Sequence, residues 1–108
     1  MHRRKCGRHL HLLINDLPTE ARLNDSTILW FVIDCSSGAD FDLQVKVNGT
    51  SERSFGSLSG TSRGMWEVIG GGRFVTGTNL VEFVANGDDT GSCTIQDVIL
   101  QYRLNTVP

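Results

Sequence analysis

In 108 residues the chain has two prolines, three histidines, three cysteines without CxxC spacing, and no apolar run approaching the length of a membrane span. Each shortage excludes something. A spanning helix needs about 20 consecutive apolar residues, and none is expected. Cysteines that are odd in number and widely spaced make neither a zinc knuckle nor a multi-bridge framework. Cys6, Cys35 and Cys93 are therefore read first as buried or free thiols, with a Cys35–Cys93 bridge as the alternative in an oxidising compartment. His2, His9 and His11 all fall near the start, so no nucleophile, base and orienting partner can be assigned, and the chain is read as not an enzyme.

What is present is a globular composition, 39% hydrophobic and 20% charged, with twelve glycines suited to tight turns between short strands. The length suits one domain. Residues 1–8 are expected to form a flexible basic lead, and residues 9–108 a single β-sandwich domain. Arg3, Arg4, Lys5 and Arg8 are four of ten basic residues, which leaves six basic against twelve acidic groups in the body, about −6. A basic stripe on a folded face is the footprint of phosphate-backbone binding. Positive charge confined to one end argues against a nucleic-acid partner. The segment "MHRRKCGRHLHLLINDLP" begins like a secretory n-region, but its apolar part is short, contains His9 and His11, and lacks a small-residue cleavage site. It is not read as a signal peptide, and the expected location is extracellular or cell-surface only if a removed leader precedes the chain.

Period-2 alternation is clearest in "DFDLQVKVNGT", where Phe41, Leu43, Val45 and Val47 alternate with Asp42, Gln44 and Lys46 before Asn48-Gly49. This pattern predicts a half-buried strand entering a hairpin turn. "STILWFVIDC" is continuously apolar, as in a strand covered on both faces. "NLVEFVA" and "TIQDVILQYRL" predict two more strands, and "HLHLLIN", "EARLN", "ERSFGSL" and "GMWEVIG" shorter ones. Turn-forming connections recur roughly every ten residues, the spacing of an antiparallel sandwich. About eight strands in this length point to an all-β, jelly-roll fold. In the last strand the parity slips between Ile95, Asp97, Ile99 and Val98, Leu100, Tyr102, Leu104. A β-bulge near Gln96-Asp97 reconciles the two. Asp97 is then read as a carboxylate among apolar neighbours that needs a partner. The inward set is predicted as Ile28, Trp30, Val32, Phe41, Leu43, Val45, Val47, Val81, Phe83, Ile95, Leu100 and Tyr102.

With these residues in view, the chain resembles the galactose-binding-like jelly roll of carbohydrate-binding modules and of accessory domains in glycoside hydrolases. The likeness covers about Ile28 to Leu104. It is carried by "VKVNG", the Trp-containing "GMWEVI", "FVTGTNLVEFVA" and the closing "TIQDVILQY". The resemblance implies a lectin-like, carbohydrate-binding role. It also implies a structural calcium held by an early acid and an Asp of the final strand, here Glu20 and Asp97, although a hydrogen-bonded Asp97 needs no ion.

Sugar recognition needs flat aromatic surfaces and planar polar groups. Trp30 lies in the most apolar strand and is assigned to the core. Trp66, with Arg63 and Glu67 beside it in sequence, is the better exposed platform, and these three form the candidate ligand site. Gly77-Thr78-Asn79 and the acidic "NGDDTGS" stretch with Asp88 and Asp89 are read as turn chemistry. Cys6, His9 and His11 could hold a transition metal loosely, though a solvated terminal strand explains them as well. Asp34 with Asp97 imitates a glycosidase pair only if their spacing fits. The expectation is a non-catalytic binding module for carbohydrate. A structural or assembly subunit, coat-like or filament-like, with a protein partner or its own copies, is the alternative, and a small hydrolase is third.

Overall fold

The computed structural model describes residues 8–38, 41–56, 58–87 and 91–104, with the backbone path alone at Arg8, His9, Phe41 and Asn86. Seven strands run in order: β1 (Arg8–Leu17), β2 (Thr27–Cys35), β3 (Phe41–Val47), β4 (Thr50–Phe55), β5 (Ser62–Ile69), β6 (Gly77–Gly87) and β7 (Cys93–Gln101). They form two antiparallel sheets, β1-β6-β3-β4 and β5-β2-β7. The all-β reading with two antiparallel layers thus holds, with seven strands among the described residues where about eight are expected. The expected "EARLN" strand is reduced to one bridge, Ala21 to Leu104. Pro18 accepts a turn hydrogen bond from Ala21, and Asp25 donates one back to Arg22, so the segment turns instead of extending.

Alternation places Leu43, Val45 and Val47 of β3 and Val81 and Phe83 of β6 in the core, as their parity predicts. The Phe41 side chain lies outside the described residues. In β2 the expected parity is inverted. Leu29, Phe31, Ile33 and Cys35 point inward, whereas Ile28 and Val32 are half-buried and Trp30 is 38% exposed. A run apolar on both faces carries no periodic signal, so packing decides. Phe31 decides it here: its ring meets Phe83 of one sheet edge-on at 5.1 Å and Phe55 at 6.1 Å, filling the space between the layers. Ile95, Leu100 and Tyr102 pack against this core while staying partly accessible.

The bulge expected in β7 is present. Between Trp30 and Val32 of β2, the facing β7 segment runs from Ile99 to Gln96, one residue longer, and Asp97 takes a positive φ of 54°. Asp97 is exposed, which removes the need for a buried partner.

Cys35 and Cys93 face each other across β2 and β7 and are bridged. The free-thiol reading is thereby corrected for this pair; Cys6 lies outside the described residues. The bridge closes 58 residues of chain, for which loop-closure entropy stabilises the fold by on the order of 4 kcal/mol.

A polar knot ties the Asn48-Gly49 hairpin to the entry of β6. Asn48 adopts a left-handed φ of 49° and Gly49 one of 85°, the primed turn expected from the dipeptide. The Asn48 side chain accepts from the Leu80 amide and donates to the Arg73 carbonyl and to Asn79 Oδ1. Asn79, fully buried, accepts from the Val75 amide at 2.7 Å and donates to the Val75 and Gly77 carbonyls. The turn role read for Asn79 is therefore its structural role.

Two outcomes test these linkages. Reducing the disulfide should lower the unfolding free energy in urea by about 2–4 kcal/mol; an unchanged midpoint would mean that the bridge does not constrain the denatured chain. Asn79→Ala should cost at least about 2 kcal/mol, since each buried group left unpaired costs about 1–3 kcal/mol. Asn79→Asp should be no better, because a carboxylate cannot donate to the Val75 and Gly77 carbonyls; a stable aspartate variant would contradict the assignment.

Candidate functional site

The outward positions of the three-stranded sheet follow directly from its register. Trp30 faces Trp66 on β5 and Ile99 on β7; Ile28 faces Val68 and Gln101; Val32 faces Gly64 and Gln96; Asp34 faces Ser62 and Thr94. Among the described residues no element packs over this face. Trp66 is 56% exposed, Ile99 59% and Val68 47%. The indoles of Trp30 and Trp66 touch across the strand pair, with centroids 5.9 Å apart and planes inclined at 39°. Trp30 Nε1 donates to the Gln101 side-chain oxygen at 3.1 Å, which sets the orientation of the ring. The result is an aromatic platform about two rings long, rimmed by amides and hydroxyls.

A notch of about 290 Å³ opens beside the platform between Trp30, Val32, Gly64, Asp97 and Ile99, lined also by Phe31 and Met65. It exists because Gly64 carries no side chain: a Cβ built there meets no heavy atom within 4 Å. The β7 bulge brings Asp97 to the opposite lip. No hydrogen bond or ion pair engages the Asp97 carboxylate among the described residues, and Asp97 is outside every sequence-adjacent grouping that would have linked it to Trp66.

The three sequence-predicted ligand residues are not brought together. Trp66 is exposed as expected, but Arg63 and Glu67 alternate onto the opposite, core-side parity, facing Ile33 and Leu29. Glu67 is engaged by Arg53 of β4 at 2.9 Å. Next to it Arg73 pairs with Glu52, the extra residue of a bulge in β4, and the same carboxylate accepts from the Gly70 amide. These pairs join the β4 and β5 margins of the two layers. Exposed ion pairs of this sort contribute modestly to stability, and their function here is closure of the sandwich margin.

The calcium pair is not assembled either. Glu20 adjoins Ala21, which bridges Leu104, while Asp97 lies seven residues earlier on the same extended segment, roughly 20 Å away along the strand. No group of three or more His, Cys, Asp and Glu side chains with metal-site geometry occurs among the described residues. His11 lies 3.4 Å from Glu82, and Cys6 with the His9 side chain falls outside the described residues, as do Asp88 and Asp89. Asp34 shares the outward face with Asp97 but pairs with Thr94, three residues away along β7.

Trp30, Gln101 and Gly64 are the members of this face that sequence reasoning missed. The available signal was the facing of two apolar strands, each with an outward tryptophan, but using it required the cross-strand register. Compared with protein-family models, curated proteins and solved structures, the chain matches none, so the meaning of this face rests on its own geometry.

Proposed function

We propose that this domain is a non-catalytic binding module that takes carbohydrate on the outer face of β5-β2-β7. The observation that carries the reading is the Trp30–Trp66 pair, held outward on a sheet face with no covering element among the described residues. Ring faces of pyranoses present C–H groups suited to indole surfaces, while Gln96 and Gln101 offer planar amides to hydroxyls. The jelly-roll assignment goes with it: β3–β6 pairing nested within β2–β7 pairing is what a rolled long hairpin produces. The Cys35–Cys93 bridge favours an oxidising, extracellular or cell-surface setting.

Assembly with other copies or with a protein partner is the second reading, favoured by the aliphatic members of the face, Val68 and Ile99, whose exposure stacking on sugars does not require. An array of neutral, acidic and amino-bearing glycans, together with solution mass across a concentration series, separates the two. Selective glycan binding by a species of constant mass supports the module. Mass that grows with concentration and no glycan bound would put assembly first.

Trp66→Ala should weaken glycan binding by about 2 kcal/mol or more, roughly 30-fold, as loss of an aromatic anchor does. Its unfolding free energy should change by less than about 1 kcal/mol, because Trp66 is 56% exposed and stands outside the core between the layers. Equal loss of fold and binding would place Trp66 among the structural residues.

A further inference from the structure

The charge on this face has one sign where a ligand would meet the platform. Within the three strands every outward position is apolar, glycine or neutral polar except Asp34 and Asp97, and no lysine or arginine stands among them. Neither carboxylate has a partner among the described residues. This is unlike Glu52 and Glu67, whose arginines hold them at the sheet margin. Arg63, beside Gly64 in sequence, alternates to the other parity of β5, and Arg103 lies two residues past Gln101, beyond the end of β7.

From this we infer that the ligand is a glycan bearing a cationic amino group, an amino sugar whose ammonium pairs with Asp97 while its ring occupies the Gly64 notch and the Trp30–Trp66 platform. The inference rests on the carbohydrate reading above and adds the charge class of the ligand. Three features converge on it. The notch places apolar walls and one carboxylate around a volume of about 290 Å³. The bulge fixes the backbone of Asp97 at φ 54°, so the point from which its side chain leaves the sheet beside the notch is set by the strand pairing. Indole faces attract cations, whereas a sugar carboxylate or sulfate would approach two unneutralised acids. At Asp97 an ammonium adds the attraction of opposite charges to its hydrogen bond, which a neutral hydroxyl donating to the same carboxylate lacks.

The test is isothermal titration of the full chain with three oligosaccharides of equal length and linkage, built from glucosamine, N-acetylglucosamine and glucose, after the glycan array described above. The glucosamine oligomer should bind at least about tenfold more tightly than either neutral one, the difference expected of a hydrogen-bonded charge pair. Asp97→Asn should abolish that preference, bringing the glucosamine oligomer to the affinity of the neutral ones. Asparagine tolerates the left-handed backbone, so this variant retains the bulge, and unchanged melting verifies it. Gly64→Val, which adds bulk at a position with ordinary backbone angles and open space, should block all three oligomers. Selectivity for neutral or acidic glycans in the array, or a glucosamine preference that survives Asp97→Asn, overturns the inference while the module reading stands. Absence of binding to any glycan in the array overturns that reading and the inference with it.

Discussion

Strand β2 has apolar side chains on both faces, and only one face can enter the core. The contact that settles the choice is the Phe31 ring wedged between Phe55 and Phe83, with Leu29, Ile33 and Cys35 aligned on the same side. A slip of one residue would exchange the two faces, because side chains alternate with period two. The slip would also turn Cys35 away from Cys93, with which it is directly paired. Core packing and covalent bridge therefore enforce one register. Their joint consequence is that Ile28, Trp30 and Val32 face outward, and the platform with Trp66, Val68 and Ile99 is assembled by the same constraint that builds the core.

The opposite layer is fixed by polar means. Asn79 and Asn48 link the β3–β4 hairpin, the segment at 73–75 and the start of β6 through side-chain bonds to backbone groups. A buried network of this kind stabilises a unique arrangement only when its members are satisfied, and Asn79 uses its oxygen and its amide nitrogen twice each. At Gly71 a Cβ would collide with the Asn24 carbonyl oxygen, so the loop preceding this network also lies directly against the β1–β2 connection. The position of β6 between β1 and β3 thus depends on turn residues as much as on the apolar alternation within the strand.

What was legible in the sequence depended on contrast between faces. β3 alternates apolar with polar residues, and its inward set was readable directly. The parity slip around Asp97 was readable as a bulge for the same reason, since both halves of β7 alternate. β2 offered no contrast, and Trp30 was misplaced because strand hydrophobicity alone says how much surface is apolar but not which side is covered. Grouping Arg63 and Glu67 with Trp66 failed for a simpler reason: neighbours at odd spacing in a strand point to opposite faces. The Cys35–Cys93 pairing is a product of long-range register, 58 residues apart, and local spacing contains no trace of it. The Glu20–Asp97 pairing failed likewise, because the early acid lies in a turn near the far end of the β7 segment.

Two departures from a regular sheet coincide at the notch. Gly64 omits a side chain where the neighbouring outward positions of β5 carry Trp66 and Val68, and the bulge turns Asp97 outward in a strand otherwise able to pair regularly with β2. The other two irregularities have evident structural uses or lie at a margin. The extra residue in β4, Glu52, reaches Arg73 and Gly70, and the one at Asn15-Asp16 occurs where β1 approaches the start of β6, with Asn15 bonded to Thr78. The Gly64–Asp97 pair has no comparable structural return among the described residues: the glycine weakens its strand, and the exposed carboxylate makes no bond. Local rules broken together at one place, without a stabilising partner there, are the pattern expected of a surface shaped for something outside the fold.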